Sequence, residues 1–203
     1  MKNNKTNICY EYEKKLSPEK IKKEGIVYTP AEIVSYINSS LLLQWKQENE
    51  VPPHMCDFSC GTGVFLVDAV EKISSMWNIP LEEAMVYVHG SDTDSDAVRI
   101  AQKLLPGANI TTQDGFDASL QKIDIVVGNP PYVRIQNLDT STREIVKNFE
   151  WCEGDFDIYV SFIEKAFKNV SYLGFICPSG WLKNKSNKNM RKDILSSQRL
   201  YEL

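Results

Sequence analysis

The chain has 203 residues, 42% of them hydrophobic and 25% charged, with a net charge of -4. That balance fits a soluble globular protein of one domain or slightly more, and it argues against a simple basic nucleic-acid binder. No apolar run approaches the length of a membrane span, and Met1 to Lys5 lacks the apolar core of a signal peptide.

Residues 1–24 read as a polar, lysine-rich arm with one short helix starting at Ser17-Pro18. Residues 25–203 read as one domain. In Gly25-Ile26-Val27-Tyr28-Thr29-Pro30, the Thr29 hydroxyl, Pro30 and Glu32 predict an N-terminal capping box for a helix from Ala31 to about Gln47. Val51 to Phe58 predicts a strand, followed by Asp57-Phe58-Ser59-Cys60-Gly61-Thr62-Gly63 and a helix, which is a nucleotide-binding layout without the last glycine of a dinucleotide fingerprint. Cys9, Cys56, Cys60, Cys152 and Cys177 form no CxxC pair, and His54 and His89 sit at no ligand spacing; reduced thiols in a cytoplasmic protein, and no metal, are expected.

A second strand, Val86 to Ser91, ends in Asp92-Thr93-Asp94, and a helix spans Ser95 to Leu105. A third, Ile110 to Gln113, ends in Asp114-Gly115-Phe116. A fourth, Ile123 to Gly128, ends in Asn129-Pro130-Pro131-Tyr132. Any one of these acids serves equally well as a helix cap, and Asn-Pro-Pro as an ordinary turn. In order, three acids and an amide at four strand ends outline a site, because open α/β sheets bind ligands at the carboxyl ends of their strands. The Asn129 side-chain oxygen and the Pro130 carbonyl can accept both hydrogens of one amino group, and the Tyr132 ring can lie on a planar base. Val133 to Asp155 is predicted as a mobile loop with a short helix, Phe156 to Val170 as an amphipathic helix, Leu173 to Cys177 as a fifth strand, Lys188 to Ser197 as a last helix and Tyr201 to Leu203 as the start of a sixth strand. Lysines and arginines from Lys183 to Arg199 form either a solvated helix face or a basic rim beside an acidic pocket.

Five segments in this order resemble the amino-methylating DNA methyltransferases, and most closely the adenine-N6 enzymes of restriction-modification systems: 25–30, 57–63, 129–132, Asp157 to Ala166, and Cys177-Pro-Ser-Gly-Trp-Leu182. Phe58 stands where that family often has proline. The resemblance implies a Rossmann-like α/β fold and S-adenosyl-L-methionine as methyl donor. Tyr28, Thr29, Pro30, Asp57, Ser59, Cys60, Gly61 and Gly63 would hold its methionine part, and Asp92 its ribose. Asp114, Gly115 and Phe116 would hold its adenine beside Asn129. Asn129, Pro130, Pro131 and Tyr132 would take a base flipped out of double-stranded DNA. The family has further strands and a target-recognition domain, so the expectation is a catalytic-domain piece, completed by a missing C-terminal domain or a second polypeptide. Related chemistry on a protein glutamine amide or an RNA base amine is the nearest alternative. A truncated chain that binds cofactor without turnover is the other.

Overall fold

The computed structural model describes residues 2–197, so Arg199 and the expected sixth strand lie outside the described residues. Five strands form one all-parallel sheet in the order β3-β2-β1-β4-β5: β1 (Met55–Asp57), β2 (Val88–Asp92), β3 (Asn109–Thr112), β4 (Ile125–Gly128) and β5 (Tyr172–Phe175). The chain steps outward from β1 to β3, then returns to place β4 on the other side of β1. This reversal opens a crevice at the carboxyl ends of β1 and β4, where Asp57 and Asn129 stand.

Residues alternate between the two faces along each strand. Met55, Ile125 and Val127 enter one core with α3 (Ala31–Glu48), α4 (Val64–Trp77) and α6 (Ser95–Leu104). The four-residue α5 (Leu81–Ala84) leads into β2. Cys56 and Val126 enter the opposite core with α8 (Tyr159–Asn169). All four residues of β4 are buried, as a central strand covered on both faces requires. Among the described residues β5 is an edge strand, and its residues are half-buried.

Two segments differ from the expectation. The N-terminal 24 residues do contain the predicted helix, α2 (Pro18–Glu24), with the Ser17 hydroxyl accepting from Lys20 N. They also form α1 (Lys2–Glu13), which docks: Cys9 is fully buried, the Tyr10 hydroxyl donates to the Thr29 carbonyl at 3.0 Å, and Tyr12 and Lys20 both donate to Asp94 Oδ2. Asp94 caps α6 as well. Burial alone would raise its carboxyl, but the hydrogen bonds from Lys20 and Tyr12 hold it below the usual range.

The segment after Tyr132 is packed along much of its length. It includes α7 (Thr140–Val146), capped by Asp139, and sends Val146, Trp151 and Phe156 into the second core. The buried Glu164 carboxylate of α8 accepts from the backbone of Glu150 and Trp151 at 2.8 and 2.7 Å, and pairs with Lys168. The last helix, α9 (Lys188–Ser196), buries Met190. Lys183, Lys185, Lys188 and Lys192 are exposed, whereas Arg191 braces the preceding turn by donating to the carbonyls of Trp181 and Asn184.

At the opposite end of the sheet, His54 Nδ1 and His89 Nε2 lie 3.0 Å apart. Burial, and then the neighbouring His54, hold His89 below the usual 6.5. Below that value the unfolded chain binds more protons than the folded one, so stability falls as pH drops. Thermal melts from about pH 7 to pH 5 should show this loss, with a shallower pH dependence for His89→Gln.

Candidate active site

A cavity of about 710 Å³ runs along the carboxyl ends of the strands. It is lined by Thr29, Asp57, Ser59, Cys60, Gly61, Asp92, Asp114, Gly115, Phe116, Asn129 and Pro131 from the sequence-predicted set. Tyr28, Pro30, Gly63, Pro130 and Tyr132 do not line it. Tyr28 is half-exposed with its ring 4.5 Å from that of Tyr10, and Pro30 occupies the cap position of α3. Pro130 is buried. A Cβ at Gly63 would lie 3.2 Å from Ala101 Cβ, so this glycine lets α4 approach α6 closely.

The loop after β1 is held by the acids at the strand ends. Asp57 accepts from Ser59 N, and Asp92 accepts from Gly61 N at 2.7 Å and from Asp94 N at 2.9 Å. Gly61 has φ +50° and open space where a Cβ would point, so a ligand can lie against its backbone. Asp57 is 2% exposed; burial pushes its carboxyl up to about 7, against the hydrogen bond from Ser59 and with help from the charge of Asp92. Burial also raises Asp92.

The loop after β3 is gripped from beneath. Asp114 accepts from Phe116 N at 2.9 Å, and Lys165 of α8 donates to the carbonyls of Gly115, Phe116 and Ala118. A Cβ on Gly115 would lie 2.3 Å from the Phe58 carbonyl. Phe58 stacks on Phe162 at 5.3 Å.

Asn129 and Tyr132 carry the main surprise. The Thr29 hydroxyl does not cap α3, contrary to the expected capping box. It accepts instead from Asn129 Nδ2 at 2.8 Å, and the Val27 carbonyl accepts from the same nitrogen at 2.8 Å. A partner a hundred residues away outcompetes the local cap. The Tyr132 hydroxyl sits between Asn129 Oδ1 and the Ile176 carbonyl, to either of which it can donate. Its ring is half-buried, edge-on to Tyr159 at 6.0 Å, and not laid open for stacking. Burial raises its phenol well above the usual value.

Sequence reasoning missed several lining residues. Tyr12, Lys23 and Glu24 come from the N-terminal helices, Leu16 from the turn between them, and Asp139, Ser141 and Thr142 from the start of α7. Thr62, 2% exposed, has a hydroxyl without a hydrogen-bond partner among the described residues. Among the described lining residues, Lys23 is the one cation against Glu24, Asp57, Asp92, Asp94, Asp114 and Asp139.

Residues 91–203 match the Eco57I restriction-modification methylase family. The chain is 29% identical over 199 residues to the type II methyltransferase M.VspI of Vibrio sp. (strain 343), covering 92% of this chain and 45% of that protein. It is 28% identical to the modification methylase CviBIII of Paramecium bursaria Chlorella virus NC1A, covering 94% of this chain and 47% of the relative. It thus spans about half the length of these curated relatives. Its fold is similar to part of the ATP-dependent type ISP restriction-modification enzyme LlaBIII bound to DNA, with a TM-score of 0.68 at 20% identity, covering 94% of this chain and 17% of that one.

Proposed function

The chain belongs to the Eco57I restriction-modification methylase family, and from that premise we propose that it is the catalytic part of an enzyme that methylates the N6 amine of adenine in DNA. The observation that carries this reading is the continuity of one cavity from the acid-ended glycine loop at Asp57 to the Asn129 amide. The amine acceptor and the donor pocket are therefore neighbours.

The methyl donor is S-adenosyl-L-methionine, and the residues present fit it. The lining is strongly acidic, as suits a cationic ligand, with Lys23 available to a carboxylate. Gly61 offers a cradle with room against its backbone, and the unpartnered Thr62 hydroxyl offers a hydrogen bond. Asp57, Gly61 and Thr62 would hold its amino-acid end, and Asp92, Asp114 and Phe116 its nucleoside. When bound, it supplies an activated methyl group.

The chain's own contribution is to the amine. Asn129 Oδ1 accepts an amine hydrogen, draws the nitrogen lone pair out of conjugation with the ring and stabilises the positive charge that develops there. Tyr132 already donates toward that oxygen, which has a second lone pair. Its hydroxyl carries one proton and has the Ile176 carbonyl 3.0 Å away, so it can leave Oδ1 without losing a hydrogen bond.

Calorimetry and transfer of labelled methyl to DNA, RNA and a release-factor substrate test the proposal. Methyl appearing in RNA or protein and not in DNA would overturn it. A pH prediction accompanies it. A cation favours the ionised Asp57 carboxylate, so binding below about 7 must expel a proton and affinity rises with pH. The gain should approach about tenfold per unit below the pKa and level off above about pH 8. Asp57→Asn should lack it, and the difference between the two proteins removes the ligand's own titration.

A further inference from the structure

The Asn129 amide has two ends of nearly equal size, and only one of them can accept from a substrate amine. We propose that the Val27 carbonyl decides which end faces the substrate and that the Thr29 hydroxyl pins the amide in that orientation, making Thr29 a positioning residue for the transfer step and not a cofactor ligand. This rests on the function proposed above.

The Val27 carbonyl lies against the Asn129 side chain. A backbone carbonyl only accepts, so the side-chain atom of Asn129 lying 2.8 Å from it has to be the nitrogen. The opposite orientation would set two acceptor oxygens against each other. The second amide hydrogen goes to the Thr29 hydroxyl, also at 2.8 Å. Both donors of Asn129 are thereby consumed by the segment before α3, and Oδ1 is the end left over for the cavity. Thr29 is itself fixed: its side chain is 4% exposed, and its carbonyl accepts from the Tyr10 hydroxyl of α1 at 3.0 Å. Tyr132, hydrogen-bonding to Oδ1, keeps that end occupied by a donor.

The position of the segment in the chain acquires a physical reason. Its carbonyl and hydroxyl meet Asn129 only because α2 ends against the strand-end loop, where Tyr132 N donates to the Gly25 carbonyl at 3.1 Å. A hydroxyl lost from Thr29 leaves one amide hydrogen without a partner and loosens the hold on the amide.

The test compares Thr29→Val, which keeps the shape and removes the hydroxyl, with Thr29→Ser, which restores it. Thr29→Val should lower the single-turnover methyl-transfer rate by about 10- to 100-fold, since one preorganising hydrogen bond is lost. The dissociation constant for S-adenosylmethionine should stay within about threefold, and Thr29→Ser should recover most of the rate. Independently of activity, NMR of the side-chain amides should show both Asn129 protons protected from exchange in the unmodified protein and one of them losing that protection in Thr29→Val, the signal being assigned by its absence in Asn129→Ala. A tenfold weaker cofactor affinity at an unchanged rate would overturn the proposal, as would unchanged amide protection. If the unmodified protein binds cofactor but methylates nothing, the function falls, while the amide signals still judge the role of Thr29.

Discussion

Replacing Asn129 with alanine is expected to lower the rate of methyl transfer by roughly 10²- to 10³-fold, the usual cost of deleting a preorganised group that stabilises charge in the transition state. Affinity for S-adenosylmethionine should change by no more than a few-fold. The two effects separate because Asn129 follows β4, whereas the acids that would face a cationic donor come from the ends of β1, β2 and β3. Alanine also removes the hydrogen bonds from Nδ2 to Val27 and Thr29, so part of the loss is misplacement of the loop. Asn129→Asp separates the two contributions. It keeps an acceptor of the same shape but sets an oxygen against the Val27 carbonyl in place of a donor, and should sit between alanine and the native residue. Single-turnover transfer with labelled cofactor measures the rate, and calorimetry the affinity. A large loss of cofactor binding at a normal rate would move Asn129 from the chemistry to the cofactor pocket.

The ladder of strand ends was legible because its signals are local. An apolar run closed by Asp, Asn, Gly or Pro marks a central parallel strand and its exit, and Asp57, Asp92, Asp114 and Asn129 could be placed at strand exits that way. Helix α1 was not, since among its described residues only Cys9 and Tyr10, adjacent in sequence, are buried, and two neighbours create no helical period. Its anchors are the Thr62 and Thr29 carbonyls and Asp94, all contributed by distant parts of the chain. The segment from Val133 to Asp155 looked like a loop for a similar reason. Its buried residues are few, and the Glu164 carboxylate that satisfies its backbone belongs to the next helix. Thr29 illustrates the same limit at one atom. Thr-Pro-x-Glu is a sound local capping signal, but a hydroxyl makes few bonds, and here the distant amide takes precedence.

Replacing Lys165 with methionine should weaken both the fold and cofactor binding, while leaving the transfer step itself less affected. The ammonium has three hydrogens, and all of them are spent on one loop: the carbonyls of Gly115, Phe116 and Ala118 accept at 2.6, 2.9 and 2.7 Å. The charge also lies over the Phe58 ring at 5.4 Å. This is the loop that presents Asp114 and Phe116 to the cavity, and it has little freedom of its own, with Gly115 pressed against the Phe58 carbonyl. Methionine fills nearly the same volume and offers no donor, so three carbonyls lose their partner in a half-buried place. Water can reach part of the site, so the expected loss is about 2–4 kcal/mol and not the full sum of three buried orphans. Arginine should rescue poorly, because a planar fork cannot aim at three convergent carbonyls as a rotating ammonium does. In denaturant titrations the midpoint should fall at an unchanged slope. In transfer assays KM for the cofactor should rise about tenfold with a smaller change in kcat, as befits a residue acting through the donor pocket and not on the reacting amine. Unchanged cofactor affinity in a destabilised variant would mean that the packing of Phe116 on Phe162, at 4.7 Å, holds the loop without the lysine.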